Sequence, residues 1–119
     1  MNSNEIKKYI ENQFVDDYEE IKSFMDSVNE TLNDLDISHK YESYNEFCLD
    51  VEESILSNVK NEDFQELSIK IIVDALNNMI KYKILEDENY EEKIKNYYDD
   101  PEKIIKDINK LKKKQNKSK

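Results

Sequence analysis

Apolar residues recur at helical spacing almost from the start of the chain. Ile6, Tyr9, Ile10 and Phe14 fall on one helical face. The series continues through Phe14, Tyr18, Ile21, Met25, Val28, Leu32 and Leu35 in alternating steps of four and three, a heptad-like stripe. Asn2 or Ser3 opens it as an N-cap, and Glu5 stands at capping-box distance from Asn2. The run Val15-Asp16-Asp17 interrupts the stripe, and either aspartate would cap a new helix. One helix over about 4–35 and two helices meeting near residue 16 both fit this pattern.

Residues 36–43 lose the period and read as a loop. Ser43 and Glu46 form a second capping box, and Tyr44, Phe47, Cys48, Val51, Ile55, Leu56 and Val59 follow on one face, predicting a helix over about 44–60. Asn61, with Glu62 and Asp63 behind it, suits the start of a further helix over about 62–85. That segment carries two apolar stripes, Phe64/Leu67/Ile71/Ala75/Met79 and Ile69/Val73/Leu76/Ile80/Ile84. Apolar residues on two faces imply neighbours on both, so this is the expected central helix and the core is expected to gather around residues 64–85.

After the hydrophilic connector 86–89, Asn89 and Glu92 make another cap-like pair before a short helix over about 90–98. Asp99-Asp100-Pro101-Glu102 is the sharpest punctuation in the chain, since Asp is favoured at an N-cap, Pro at the first helical position and Glu in the first turn. A last helix over about 101–113 presents Ile104, Ile105, Ile108 and Leu111. The expected fold is therefore all-α, a single-domain bundle of five or six helices around the central apolar helix, with an acidic helical domain over 1–111 and a lysine-rich flexible tail over 112–119. There is no internal repeat and no linker that would divide it.

Composition sharpens this picture in two ways. The chain has no Gly, and both tight hairpin turns and phosphate-cradling loops rely on Gly, so helices joined by Asn, Asp and Ser turns are favoured. Leu, Ile, Val and Phe number 31 of 119 residues, enough for a core despite 39% charged residues. The absence of Arg beside abundant Lys, Asn and Ile matches the codon bias of a low-GC genome. A single cysteine, no apolar segment behind Lys7 and Lys8, and no run long enough to span a bilayer together lead to the expectation of a cytoplasmic protein with no membrane association.

Charge divides the chain unevenly. Residues 1–100 carry 26 acidic side chains against 10 lysines, a charge of −16, whereas residues 101–119 carry 8 lysines against 2 acids, a charge of +6. A field of this size favours cationic surfaces and repels nucleic acid from the acidic body. The lysines at the end complement the negative C-terminal end of the last helix, although a phosphate-gripping patch is an alternative.

No constellation points to catalysis. Cys48 and His39 are the only nucleophile–base pair, with Cys48 on the core face of its helix, where a thiol is inert, and His39 in a surface loop. The acidic clusters lack the Glu-x-x-His pairs of di-metal bundles and the Gly of an EF-hand loop. Glu88-x-x-Glu91 has no Glu-x-x-Asp partner of the kind that MazG-type pyrophosphatases carry. The acids therefore read as solvated helix faces, and no catalytic, cofactor or metal-ligating residue is expected.

The expected contact surface lies where carboxylates and aromatics coincide: Tyr90, Glu91, Glu92, Tyr97, Tyr98, Asp99 and Asp100. Tyr97 and Tyr98 are adjacent on a helix and cannot both face one core, so at least one should be exposed, and tyrosine suits an interface because it joins a large ring to a polar tip. The stretch Tyr97-Tyr98-Asp99-Asp100, with Pro101 and Glu102 opening the last helix, resembles the colicin DNase immunity proteins, small acidic helical bundles with a tyrosine pair and nearby acids before their last helix. In that family Pro directly follows the tyrosine pair and glycines are present, whereas here two aspartates intervene and Gly is absent. The likeness covers about ten residues. The expectation from sequence is a non-enzymatic, acidic protein-binding module of inhibitor or immunity type that needs no cofactor. Its expected partner is a basic protein, such as a nucleic-acid enzyme whose phosphate-binding face the carboxylates would occupy as a nucleic-acid mimic. The alternative is a structural or assembly subunit that forms a homodimer through the 14–35 stripe.

Overall fold

The computed structural model describes residues 2–38 and 40–117, with side chains described through Lys114. The reading of His39 as a surface loop residue, and its pairing with Cys48, lie outside the described residues. Asn2 caps the first helix, α1 (Ser3–Asp16): its Oδ1 accepts from the Glu5 N–H at 2.9 Å, and its Nδ2 donates to the Glu5 carboxylate. The apolar stripe is then cut into two helices. Asp17, at φ −108° and ψ 36°, separates α1 from α2 (Tyr18–Asp34) and supplies no side-chain cap. Backbone bonds run from Asp17 N–H to Gln13 O and from Ile21 N–H to Asp17 O. The Phe14 carbonyl, which a continuous helix would offer to Tyr18, instead accepts from the Tyr44 hydroxyl at 3.0 Å.

α2 ends in a Schellman arrangement. Ile37 N–H reaches back to Leu32 O at 2.8 Å and Asp36 N–H to Asn33 O at 3.0 Å, with Asp36 at φ 60°. Glycine is the usual residue there because it has no Cβ to crowd the carbonyl. This chain has none and uses an aspartate, one of the few other residues that tolerates the left-handed region. Residues 35–38 and 40–43 are irregular, as the lost period implied, yet Leu35, Ile37 and Tyr41 are buried. Asn29 holds this loop through both functions of its amide, donating to Tyr41 O at 2.9 Å and accepting from Tyr41 N–H at 2.8 Å.

α3 (Tyr44–Asn58) starts at the expected Ser43 cap, whose hydroxyl accepts from Glu46 N–H. The following helix differs from expectation. α4 spans Ile69–Leu85 rather than about 62–85, and its cap is Ser68, which accepts from Ile71 N–H. Asn61 turns its amide to Ser3 instead, 3.2 Å from the hydroxyl. Phe64 is buried edge-on against Tyr9 of α1, with ring centroids 5.9 Å apart. Residues 61–68 are therefore a pinned loop: the ring that would have extended the α4 stripe anchors α1. The two-faced burial expected of α4 also fails at its start, where Ile69 is 72% exposed and Val73 43% exposed, although Leu76 and Ile80 are half-buried and Ile84 is buried.

α5 (Tyr90–Tyr97) begins at Asn89, whose side chain makes no cap bond; its backbone N–H goes to Asp87 Oδ1 at 2.8 Å. α6 (Pro101–Lys117) starts on the proline and runs past Leu111 into the lysine segment. The result is a single compact all-α domain of six helices, with no strand among the described residues. α4 lies against α2, α3 and α6, α3 lies against α1, and α5 packs on α6. The buried cluster draws on every element, including Ile6, Ile10 and Phe14 of α1, Phe47, Val51 and Ile55 of α3, and Ile94 of α5. It is thus not concentrated on residues 64–85.

Candidate functional site

The residues singled out from sequence separate into two depths. Tyr90 is buried, and its hydroxyl donates to Asn109 Oδ1 at 2.7 Å, tying α5 to α6. Burial, and then the charge of Glu91, push its phenol above the ordinary value. Glu91 and Glu92 are exposed in the first turn of α5, where a negative side chain complements the positive end of the helix. Tyr97 is 43% exposed and Tyr98 half-buried, their rings perpendicular with centroids 4.9 Å apart. Burial pushes the Tyr98 phenol up. Asp99 and Asp100 are exposed on the link to α6. One of the adjacent tyrosines is therefore presented, although α5 ends at Tyr97 and Tyr98 is an extended residue beyond it rather than the next helix position, and Tyr90 is buried on the same helix.

The base of α5 is clamped to the rest of the fold. Lys93 Nζ donates to the Asp36 carbonyl at 2.7 Å and to Asp87 Oδ2 at 2.5 Å. An ammonium thus satisfies a carbonyl of the turn that follows α2 while neutralising the connector before α5.

A second concavity was not legible in the sequence because three helices and a loop build it. An open cleft of about 520 Å³ lies between α3, α4 and α6. In it the Tyr41 hydroxyl donates to Asp50 Oδ2 at 2.8 Å, Lys83 Nζ sits 4.7 Å from the centre of the Tyr41 ring, and Tyr82 is 41% exposed. Burial first, and then the Asp50 carboxylate, drive the Tyr41 phenol far above its usual range. The groups at the cleft thus fix one another, since the ring faces a cation and the hydroxyl a carboxylate. The only sequence signal would have been Tyr41 inside a polar loop.

The α1–α3 seam holds one buried carboxylate, Glu52, which is 6% exposed and lies 3.7 Å from Lys7. Burial and the neighbouring Glu11 raise its pKa, against the opposing pull of Lys7. Nearby, Cys48 is half-buried, and burial pushes its thiol up, away from the thiolate a nucleophile needs. Among the described residues no three His, Cys, Asp or Glu converge to hold a metal ion. Every buried side-chain nitrogen and oxygen described has a hydrogen-bond partner. No described helix is long and apolar enough to cross a membrane.

Comparison of the chain with protein-family models, with curated proteins and with solved structures found no match.

Proposed function

We propose that the protein is a non-enzymatic, acidic binding module of inhibitor or immunity type that covers a basic surface of a partner protein. The observation that carries this reading is the pairing of exposed Tyr97, braced edge-on by Tyr98, with the exposed carboxylates Glu91, Glu92, Asp99 and Asp100. A supported aromatic ringed by charge is how interfaces combine affinity with orientation. A partner whose basic surface ordinarily meets phosphates fits this reading, because carboxylates would take their place. The excess of 14 acids over lysines in residues 1–90 steers such a partner in and keeps nucleic acid off.

Self-association through the 14–35 stripe stands second, because Phe14, Ile21, Met25, Val28, Leu32 and Leu35 are all buried within one chain. The test is capture of a basic protein from a cognate lysate across a salt gradient, using the wild type and a variant with Glu91, Glu92, Asp99 and Asp100 changed to Lys. The expected result is one basic species that binds the wild type, associates more slowly as salt rises from ~50 to ~300 mM, and is lost by the variant. Capture indifferent to the four substitutions removes the patch from the reading. Light scattering that shows a stable dimer favours the assembly alternative.

A further inference from the structure

The α5–α6 face has the opposite sign to the rest of the molecule. Lys106, Lys110 and Lys113 stand at i, i+4 and i+7 on α6, and Lys95 of α5 lines the same groove of about 550 Å³. Two glutamates, Glu91 and Glu102, also line it, which leaves a local excess of two positive charges on a chain of net charge −10. All four lysines are exposed, and none is ion-paired to a described residue, whereas Lys7, Lys81 and Lys93 all are. Other lysines, Lys8, Lys22 and Lys70 among them, are exposed as well; what sets these four apart is that they gather around one groove on a chain with ten more acids than lysines. The walls are joined: Ile94 and Ile108 are fully buried, and Tyr90 bonds Asn109 across the helix pair. Half-buried Ile105 gives the groove an apolar point.

We infer that this groove docks an acidic, amphipathic helical segment of a protein partner, with its carboxylates against Lys106, Lys110 and Lys113 and one apolar side chain on Ile105. Seven residues of α6 rise about 10 Å, which a ligand helix matches with acids at the same i, i+4, i+7 spacing. Nucleic acid fits less well. A strand long enough to be gripped by more than this stretch meets the acidic body, and no aromatic ring lines the groove to stack a base. The lysines are also point charges without the planar fork that selects phosphate geometry. This inference rests on the lysines of the groove, shares only Glu91 with the basic-partner reading, and can fail separately.

The experiment uses the full chain and a fluorescein-labelled 14-residue peptide with Glu at i, i+4, i+7 and i+11 around Leu, titrated by anisotropy at ~50 mM salt. Controls are the same peptide with Gln for Glu and a single-stranded oligo-dT of equal length. The Lys106→Gln/Lys110→Gln/Lys113→Gln variant is expected to bind the acidic peptide about tenfold more weakly, the sum of three exposed charge contacts of modest worth. Lys8→Gln/Lys22→Gln/Lys70→Gln makes the same change in net charge at exposed positions outside the groove and is expected to shift binding less than about twofold. Equal weakening by both variants, no binding of the acidic peptide to the wild type, or tighter binding of oligo-dT than of the peptide would each overturn the inference. Charge reversal at Asp99 and Asp100 should leave peptide binding undiminished, and its loss there would move the site out of the groove.

Discussion

Helices α2 and α6 are the same length, 17 residues each, and are held in opposite ways. α2 buries Ile21, Met25, Val28 and Leu32 in succession and ends in a hydrogen-bonded turn whose own residues Leu35 and Ile37 enter the core. α6 buries Ile108 alone among its described side chains, with Ile104 and Ile105 half-covered, and is also held by the Tyr90–Asn109 bond and a Lys81–Asp107 pair at 3.8 Å. One helix is scaffold throughout its length. The other is attached at a few points and leaves most of its polar surface open, as a surface that meets a partner must.

The largest expected effect comes from truncating the two helices at equally buried positions. Leu32 and Ile108 are both 0% exposed. Leu32→Ala is expected to cost about 3–5 kcal/mol, read as a lower urea midpoint, because the cavity opens in a region closed on all sides. Ile108→Ala is expected to cost about 2–3 kcal/mol, with loss of hydrogen-exchange protection concentrated in α5 and α6. Equal loss of protection through α1–α4 in the second variant would erase the contrast between the two helices.

A smaller effect, opposite in sign, is expected at the end of α2. Asp36→Gly removes the Cβ from a left-handed position while keeping the carbonyl that Lys93 uses, and is expected to stabilise the fold by about 0.5–1 kcal/mol. A fall in urea midpoint would mean that the aspartate side chain does more in the turn than its backbone conformation indicates.

The smallest effect is a pH dependence at Glu52. Its folded-state pKa is raised by burial and by Glu11, so the native state holds that proton more tightly than the unfolded chain. The resulting stability is present below the ordinary carboxylate range and is lost as pH rises through the folded value. Glu52→Gln is therefore expected to melt higher than the wild type at neutral pH, with the two curves converging as the pH approaches ~4. A variant that melts lower at pH 7 would show that the Lys7 contact outweighs the burial of the carboxylate.

Much of this architecture can be read along the chain because local chemistry dictated it. Asn2 and Ser43 cap where their spacing to Glu5 and Glu46 placed them, and Pro101 begins a helix because its fixed φ suits the first position. The start of α4 was misplaced because Phe64 lies in register with the α4 stripe yet packs on Tyr9, 55 residues earlier, and no spacing rule encodes that choice. The Tyr41–Asp50–Lys83 cluster was hidden for the same reason, since its members come from a loop and two helices. At the proposed contact surface one of the adjacent tyrosines is exposed as expected, but Tyr98 lies past the end of α5 rather than on it, and the buried Tyr90 hydroxyl is met by Asn109, a residue from another helix. The lysine spacing on α6 was present in the sequence, but only the groove beside α5 gives it a direction.

The bend between α1 and α2 is secured from a distance. The apolar positions keep helical spacing through Phe14, Tyr18 and Ile21 across the Val15-Asp16-Asp17 run, and Asp17 makes no side-chain cap bond in the folded chain. What meets the open carbonyl at Phe14 is a hydroxyl carried by Tyr44, thirty residues later, which also stacks on Tyr18 with ring centroids 4.7 Å apart. Residues 1–35 by themselves fit one helix or two, and they lack the hydroxyl that takes the Phe14 carbonyl. The corner is therefore held from α3, through a residue that belongs to neither of the two helices it separates.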